Sequence, residues 1–381
     1  MDFPLTDEQA MTRDAMRKFA DKELSPIAER IDRDGVFPLG IYRKCGELGF
    51  LGAGFPEEYG GSEADLITRA LGNMEFSRAS AGFSLSVGAS MLLFGQNVLN
   101  LGSGEQKRTY LPGLITGEKI GCWALTEPGA GSDALGIAST ARRDGDQYVL
   151  NGSKTFITNA PIADYFIIIT RTSSERGHIQ GGSAFLLERG DPGLITGAPL
   201  DKMGMRCSPT GEIFMEDCRV PASRMLGPEG MAFFGMMNSL DVERSLSVFL
   251  CLGIAQAAFE ASLRYAGERK QFGRTLGKFQ LIQAKLAAMH RDIEVSLSYA
   301  LSVLRMAEAG QRITRQSAIA KWQSSEIATR AALEAVQIFG GYGYMKEYPV
   351  ERYLRDAKLM EIGAGTSEIM QLVIARELLA R

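Results

Sequence analysis

The sequence has few of the residues from which metal sites and hydrolytic triads are built. Only two histidines occur among its 381 residues. The five cysteines are scattered and show no CxxC spacing. Zinc sites use clustered cysteine and histidine ligands, and Ser–His or Cys–His catalysis needs a histidine beside the nucleophile. The composition argues against both kinds of site and indicates a reduced, intracellular protein.

Nucleotide-binding and membrane signals are also missing. No GxGxxG follows a predicted strand and no GxxxxGK[ST] occurs, so Rossmann-type and P-loop binding are not supported. The net charge of −3 gives no broad basic surface for nucleic acid. No apolar run reaches the roughly 20 residues of a membrane span, and MDFPLTDEQ does not resemble a secretory signal. We therefore expect a cytoplasmic protein without a membrane span.

The texture of the chain changes twice along its length. Residues 1–120 show apolar side chains at helical spacing, as in Met11, Ala15 and Phe19. Residues 121–228 contain short β-rich runs such as YFIIITRT, separated by Gly, Pro, Asp and Asn. From 229 to 381 the helical pattern returns. We predict an α+β multidomain protein, with an N-terminal α-helical domain (1–120), a central antiparallel β-barrel domain (121–228) and a C-terminal four-helix bundle (229–381).

Five stretches combine glycine with hydroxyl, aromatic or charged residues. Glycine lets backbone N–H groups approach a ligand closely. Taken singly, each stretch is equally typical of a plain turn, an ordinary strand or a charged interhelical loop. The five are ALTEPGAGSDA (124–134), NGSKTFITNA (151–160), ERKQFGRTLGKFQLIQ (268–283), QIFGGYGY (337–344) and MEIGAGTSEIM (360–370).

One acid lies on the apolar face of a predicted helix. Glu243 follows Leu240 by three residues and precedes Ser247 by four, on a stripe that continues through Leu250 and Ile254. Burial raises the pKa of a carboxylate and makes it a better base near neutral pH. The alternative is that Glu243 forms a structural ion pair with Arg244 or Arg269.

In this order and at these intervals, the five stretches resemble the acyl-CoA dehydrogenase family over nearly the whole chain. The resemblance implies non-covalent FAD and an acyl-CoA thioester as substrate. A carboxylate removes the α-proton, the β-hydrogen passes as hydride to flavin N5, and a trans-2-enoyl-CoA is formed. It also implies electron-transfer flavoprotein as the usual acceptor and a homotetramer built from dimers.

The resemblance also assigns ligand-binding residues. The residues that it implies for FAD are Trp123, Leu125, Thr126, Gly131, Ser132, Phe156, Ile157, Thr158, Arg269, Phe272, Gln280, Gln337, Gly340, Gly341, Thr366, Ser367 and Glu368. Among them, Arg269, Phe272, Gln280 and the segment Gln337 to Gly341 are implied to reach the FAD of a neighbouring subunit. The residues that it implies for the substrate are Ser132, Phe234, Asp241, Arg244 and Gly365.

The chain departs from many relatives at the catalytic position. They carry a Glu in a Tyr-Glu-Gly-Thr segment, where this chain reads Gly363-Ala364-Gly365-Thr366. The chain is similar to isovaleryl-CoA dehydrogenase-like members, which place the base on the helix that holds Glu243. The resemblance then implies Glu243 as the base and the Ala364 backbone N–H as a donor to the thioester oxygen.

The small Ala364 turn favours a short branched or cyclic acyl group. Met91, Leu92, Phe94 and Leu240 are candidates for lining its pocket, or are plain core residues. Two alternatives to a dehydrogenase stay open: a flavin oxidase or monooxygenase on the same fold, and a non-catalytic flavoprotein scaffold.

Overall fold

The computed structural model of the chain describes residues 5–173 and 177–380, without the side chains of residues 177, 178 and 236–238. The N-terminal region is helical, as predicted. Thr6 and Ser103 form capping boxes at the starts of the first and the seventh helix. The helices are α1 (Asp7–Phe19), α2 (Ala28–Asp34), α3 (Leu39–Glu47), α4 (Leu66–Ala79), α5 (Ala81–Gly88), α6 (Gln96–Leu101) and α7 (Gly104–Ile115), with π-helical turns at Ala20–Leu24 and Ala89–Gly95.

The central region is a sheet of eight strands, in the order β6-β7-β3-β2-β4-β5-β8, with β1 pairing β4. Strand β4 pairs in parallel with β1 and β2, and the other pairings are antiparallel. Gly145, at φ 65°, turns β2 into β3. The strands are β1 (Gly121–Ala124), β2 (Thr140–Asp144), β3 (Gln147–Thr158), β4 (Tyr165–Arg171), β5 (Gly182–Glu188), β6 (Leu194–Thr196), β7 (Thr210–Pro221) and β8 (Met225–Leu226); a short helix, α8 (Gly177–Gln180), precedes β5.

The C-terminal region is helical again and contains the longest helices of the chain. Its elements are α9 (Ala232–Glu268), a two-stranded ribbon of β9 (Lys270–Gln271) and β10 (Arg274–Thr275), α10 (Gln280–Glu308), α11 (Thr314–Phe339), α12 (Val350–Met360) and α13 (Ser367–Leu379). The predicted order of helical, sheet and helical regions is confirmed. The domain boundaries at 120/121 and 228/229 stay predictions.

Helix α9 joins the two helical regions, because its apolar side chains pack against α4 as well as against α10. Leu71 and Met74 of α4 share a core with Leu246 and Phe249 of α9 and with Leu301 of α10. A Cβ at Gly253 would lie 2.5 Å from the Met74 carbonyl oxygen, so only glycine permits this approach of α9 to α4. The close packing leaves the side chains on this face of α9 little contact with water.

Two helical stretches, Ala81–Leu101 and Ser239–Glu268, are long and apolar enough to cross a membrane by length and composition alone. Two thirds of each apolar window (67%) is buried inside the fold, as in core helices. From the sequence we expected no apolar run of this length. The two stretches pass the test because their helices are apolar on more than one face. The five cysteines all lie in the described residues and are buried, free thiols.

Candidate active site

Glu243 lies on α9, where the helix faces α6, and its residue is only 8% exposed. Its Oε1 accepts a hydrogen bond of 3.1 Å from Nδ2 of Asn97. Burial raises the pKa of Glu243 to about 7, although hydrogen bonds from Ser239 and Asn97 and the charge of Arg244 act in the opposite direction. A carboxyl group with this pKa exchanges a proton readily near neutral pH.

The alternative role, a structural ion pair, does not fit the described contacts. Arg244 directs its guanidinium to Asp241, with 3.5 Å between Nη1 and Oδ1. Asp241 also accepts a hydrogen bond of 2.6 Å from Thr314. Within residues 5–173 and 177–380, no cation forms an ion pair with Glu243.

The two other acids near the Ala364 turn differ from Glu243. Glu361 accepts hydrogen bonds from Lys358 and Thr329, which hold its pKa below the usual value against the effect of burial. Glu368 is exposed, and its own backbone N–H and the Thr366 side chain lower its pKa. Both are carboxylates at neutral pH and weak bases, so the electrostatics favour Glu243 among the three.

The Gly363-Ala364-Gly365 turn presents backbone rather than side chains. Ala364 is exposed and has φ 55°, in the left-handed region, and no described residue accepts a hydrogen bond from its N–H. Nζ of Lys321, on α11, donates to the Gly365 carbonyl oxygen at 2.5 Å. Lys321 is buried, and this burial lowers its pKa. The nearby positive charge of Arg244 lowers the pKa of Lys321 further. The turn is thus fixed to α11 and offers a free N–H donor.

The glycine-rich turn after β1 is open toward solvent. Gly131 and Ser132 are exposed, and Cβ atoms at Gly129 or Gly131 would meet nothing within 4 Å. Glu127 fixes the base of this turn. Its carboxylate accepts from Lys154 at 2.7 Å and from the Ala138 N–H at 2.6 Å, and Nζ of Lys154 also donates to the Leu125 carbonyl oxygen. Of the predicted residues, Trp123 lies near the end of β1, and Leu125 and Thr126 follow the strand and lead into the turn.

Phe156 lies at an irregularity of β3. The pairing of β3 with β7 shifts register between Lys154 and Ile157, and Phe156 adopts φ 57°. As a result the Phe156 ring is 69% exposed, whereas Ile157 packs inside the sheet. Thr158 is partly buried. Of the three predicted flavin contacts, Phe156 has a ring available at the surface, and Ile157 has only its backbone to offer.

A second set of predicted residues surrounds a cleft at the far end of the helical bundle. The open cleft, of ≈ 510 Å³, is lined by Arg269, Gln271, Phe339, Gly340 and Gly341, among others. Phe272, on the adjoining ribbon, is 92% exposed. Gln280 and Gln337 are exposed as well. The structure therefore brings Arg269 together with Gly340 and Gly341, and leaves Phe272 projecting from the surface.

The remaining predicted residues lie on α9 and around the Ala364 turn. Thr366 caps α13 by accepting from the Ile369 N–H at 3.2 Å. Oγ of the buried Ser367 has no hydrogen-bond partner among the described residues. Phe234 is partly buried in the first turn of α9. Asp241 and the Gly365 carbonyl already have partners in the chain, so a ligand would have to share them.

Four residues of this site were not predicted from the sequence. Asn97 is a polar residue within an apolar helical stretch, and Lys321 interrupts the run AIAKWQSS. The pair Lys154–Glu127 is separated by 27 residues, and both side chains are buried. A polar residue on an apolar helical stripe was the available signal for Asn97 and Lys321. The described residues contain no cluster of three or more His, Cys, Asp or Glu that could hold a metal ion.

Models of three domains match consecutive parts of the chain. They are the acyl-CoA dehydrogenase N-terminal domain at residues 6–118, the middle domain at 122–218 and the C-terminal domain at 230–379.

Individual proteins match over the full length. The chain is 47% identical over 379 residues to the probable acyl-CoA dehydrogenase YngJ of Bacillus subtilis (strain 168), covering 100% of both chains. It is 41% identical over 374 residues to mitochondrial isovaleryl-CoA dehydrogenase of Solanum tuberosum, covering 98% of this chain and 90% of the relative. The solved structure of butyryl-CoA dehydrogenase from Megasphaera elsdenii superposes with a TM-score of 0.96 at 40% identity and 100% coverage of both chains.

Proposed function

The chain belongs to the acyl-CoA dehydrogenase family, and we propose that Glu243 is its catalytic base and a short branched or cyclic acyl-CoA its substrate. The family membership makes it an FAD-dependent oxidoreductase that acts on the CH–CH bond of an acyl-CoA thioester. The single observation that carries the proposed base is the burial of Glu243 without an ion pair, at a pKa of about 7.

The proposed chemistry assigns two tasks to the protein itself. Glu243 accepts the proton from the α-carbon, and the electrons of that C–H bond form the new double bond as the β-hydrogen leaves. The Ala364 N–H donates to the thioester oxygen, where negative charge develops as the α-proton is lost. Lys321 holds the turn that presents this N–H. FAD, when bound, takes up the β-hydrogen as a hydride.

The residues that would hold FAD suit a flat, polar cofactor. The open glycine turn at Gly131 and Ser132 offers backbone N–H groups, and Thr126 and Thr158 offer hydroxyls. The exposed Phe156 ring provides an apolar surface for a flat ring system. Arg269, beside Gly340 and Gly341, offers a cation to the pyrophosphate of a neighbouring subunit's FAD.

We expect the purified protein to be yellow and oligomeric, with one FAD per subunit, because the Arg269 cleft lies open and Phe272 projects from its rim. Replacing the projecting ring, as Phe272→Ala, should weaken FAD retention at low protein concentration, where subunits separate. The measurements are flavin absorbance per subunit and light scattering over a dilution series. Tyr344→Ala, which removes another highly exposed ring outside the predicted set (80% exposed), is the control. A monomer that holds FAD stoichiometrically would contradict this part of the proposal.

The size of the acyl group is proposed from a small cavity beside α9. A partly open cavity of ≈ 70 Å³ lies between α1, α4, the π-helical turn after α5, and α9. Met91, Leu92 and Leu246 are among its lining residues. Leu246 is almost one helical turn from Glu243. Phe94, by contrast, is fully buried in the N-terminal core, and Leu240 packs against that core. We propose that this cavity receives the end of the acyl chain, and its small volume then favours a short hydrocarbon end.

We therefore expect kcat/KM to be higher for isovaleryl-CoA or cyclohexanecarboxyl-CoA than for palmitoyl-CoA, by about tenfold or more, since a few displaced methylene groups suffice for that ratio. The measurement is steady-state turnover with an artificial electron acceptor and each acyl-CoA. The Leu92→Ala variant, which enlarges the cavity, should shift the preference toward longer chains. A higher kcat/KM for palmitoyl-CoA in the parent protein would reverse the proposal.

We propose electron-transfer flavoprotein as the electron acceptor. We also propose that the protein is a cytoplasmic homotetramer built from dimers. The competing proposal, an oxidase or monooxygenase, requires reduced flavin to react quickly with oxygen. The two are separated by reducing the flavin with acyl-CoA and then following its reoxidation in air with and without electron-transfer flavoprotein. A non-catalytic scaffold would show no bleaching with any acyl-CoA.

A further inference from the structure

We propose that Asn97 is a positioning residue for the catalytic base: its side-chain amide holds one oxygen of Glu243 in a fixed orientation toward the reacting carbon. The inference rests on the proposed role of Glu243 and adds a residue from a different helix, 146 positions away in the sequence. Nothing in the family motifs of the sequence points to this position.

The amide of Asn97 is oriented by partners on both of its ends. Nδ2 donates to the Leu93 carbonyl oxygen at 2.8 Å and to Glu243 Oε1 at 3.1 Å. Oδ1 accepts from the Ser239 hydroxyl at 3.4 Å. Because Leu93 requires a donor, the NH₂ group rather than the oxygen must face Glu243. Asn97 is 5% exposed, so water cannot easily replace this donor.

The π-helical turn before α6 explains why Asn97 can take this position. In Ala89–Gly95 the helix widens, and the Gln96 N–H bonds to the Met91 carbonyl five residues earlier. The extra residue rotates the face of α6 by about 100° relative to a continuous α-helix. With α6 in this orientation, the Asn97 side chain reaches Glu243 on α9, and its amide also bonds the Leu93 carbonyl four residues earlier. π-turns inside helices are frequent at functional sites.

A neutral amide suits a base better than a cation would. Among the groups packed around Glu243, the charged one acting on it is Arg244, which is engaged with Asp241. The Asn97 amide favours the carboxylate that must accept the α-proton, without the strong pKa depression that a direct ion pair produces. It also does not titrate, so the proton is received by Glu243 alone.

The test is the pH dependence of flavin reduction by isovaleryl-CoA, followed anaerobically by stopped flow in Asn97→Leu, which keeps the size but removes the donor. Loss of a hydrogen bond to the carboxylate should move the apparent pKa of the rate upward by about one unit. The rate at pH 6.5 should fall about tenfold and recover toward the parent value above about pH 9. Asn97→Gln, which retains an amide, should show a smaller upward shift of the apparent pKa than Asn97→Leu. Asn100→Leu, on the exposed side of the same helix, should change nothing.

The outcomes separate this inference from the proposed function. If Glu243→Gln still reduces its flavin rapidly, the proposed base is wrong and the inference is overturned with it. If Glu243→Gln is inactive but Asn97→Leu shows an unshifted pH profile, or an equal loss at every pH, only the role of Asn97 is overturned. FAD content and melting temperature report whether Asn97→Leu folds. If it does not, Asn97→Ala, which removes the amide donor without adding bulk, should give a shift in the same direction, and no shift would overturn the inference.

Discussion

The Glu243→Gln variant is expected to bind FAD and acyl-CoA but to reduce its flavin about 10²–10⁴-fold more slowly than the parent protein, the range typical of a general base. Glutamine keeps the size of Glu243 and can still bond to Asn97, but it cannot accept a proton. In the parent protein the rate should rise with pH through about 7, since Glu243 must be deprotonated to act. The residual rate of the variant should lack this rise. Anaerobic stopped-flow bleaching from pH 5.5 to 9 measures both quantities.

The matched controls are Glu361→Gln and Glu368→Gln. Both change an acid near the Ala364 turn, but each of these carboxylates has a lowered pKa and lies outside the buried pocket of Glu243. They should lose much less activity, or lose FAD affinity instead. If Glu361→Gln were as slow as Glu243→Gln, with FAD content unchanged, the base would be misassigned.

Loss of stability does not explain the slower flavin reduction expected for Glu243→Gln. The folded-state pKa of Glu243 is raised above its unfolded value, so its contribution to stability is most favourable below about pH 4.5 and declines as the pH rises through 7. The uncharged glutamine avoids that decline. The variant should therefore be at least as stable as the parent at pH 8, as thermal unfolding can check.

The second large effect is expected at the buried pair under the glycine-rich turn. Lys154→Met should lower the free energy of unfolding by about 3–5 kcal/mol, the cost of leaving one partner of a buried ion pair uncompensated. The Lys154 side chain is 0% exposed and bonds to both Glu127 and the Leu125 carbonyl. Hydrogen bonds from Lys154, Ser139 and Ala138 keep the pKa of Glu127 below its usual value despite burial. Without Lys154 that carboxylate either stays unpaired or takes up a proton.

Two measurements distinguish a local role of this pair from a global one. Chemical denaturation gives the free energy, and FAD titration reports the state of the Gly129–Ser132 turn. The double variant Lys154→Met with Glu127→Gln should recover part of the stability, because no buried charge remains. Lys119→Met, which removes a half-exposed partner of Asp164, should cost at most about 1 kcal/mol. Equal losses for the two lysines would contradict the account of the buried pair.

Local patterns predicted much of the fold, because helices and strands have fixed side-chain periods. Met11, Ala15 and Phe19, at helical spacing, lie in α1, and the β-rich run YFIIITRT forms β4, as predicted. The apolar stripe around Glu243 predicted correctly that this acid is buried. In each case the information lies within a few turns of the chain.

What the sequence could not predict depends on residues that meet only in the folded chain. Asn97 and Glu243 come together because a π-turn rotates α6, and no periodicity signals that turn. Phe156 is exposed because β3 shifts register against β7, a strand more than 50 residues later. The Lys154–Glu127 pair likewise depends on how β3 lies beside the glycine-rich turn. Backbone irregularities and polar contacts between distant segments therefore decide the site. A polar residue on an apolar stripe, such as Asn97, signals one partner of such a contact but not the distant residue that it meets.

Removal of the α-proton can be tested most directly by solvent exchange, without the later redox step. A 3-thia-acyl-CoA carries sulfur in place of the β-carbon, so its α-proton can be removed and returned while no hydride can leave. In D₂O the parent protein and Glu361→Gln should both introduce deuterium at the α-carbon, as mass spectrometry of the recovered thioester would detect. In Glu243→Gln the exchange rate should be lower by about 10²-fold or more. Exchange by Glu243→Gln at the parent rate would contradict the assignment of the base.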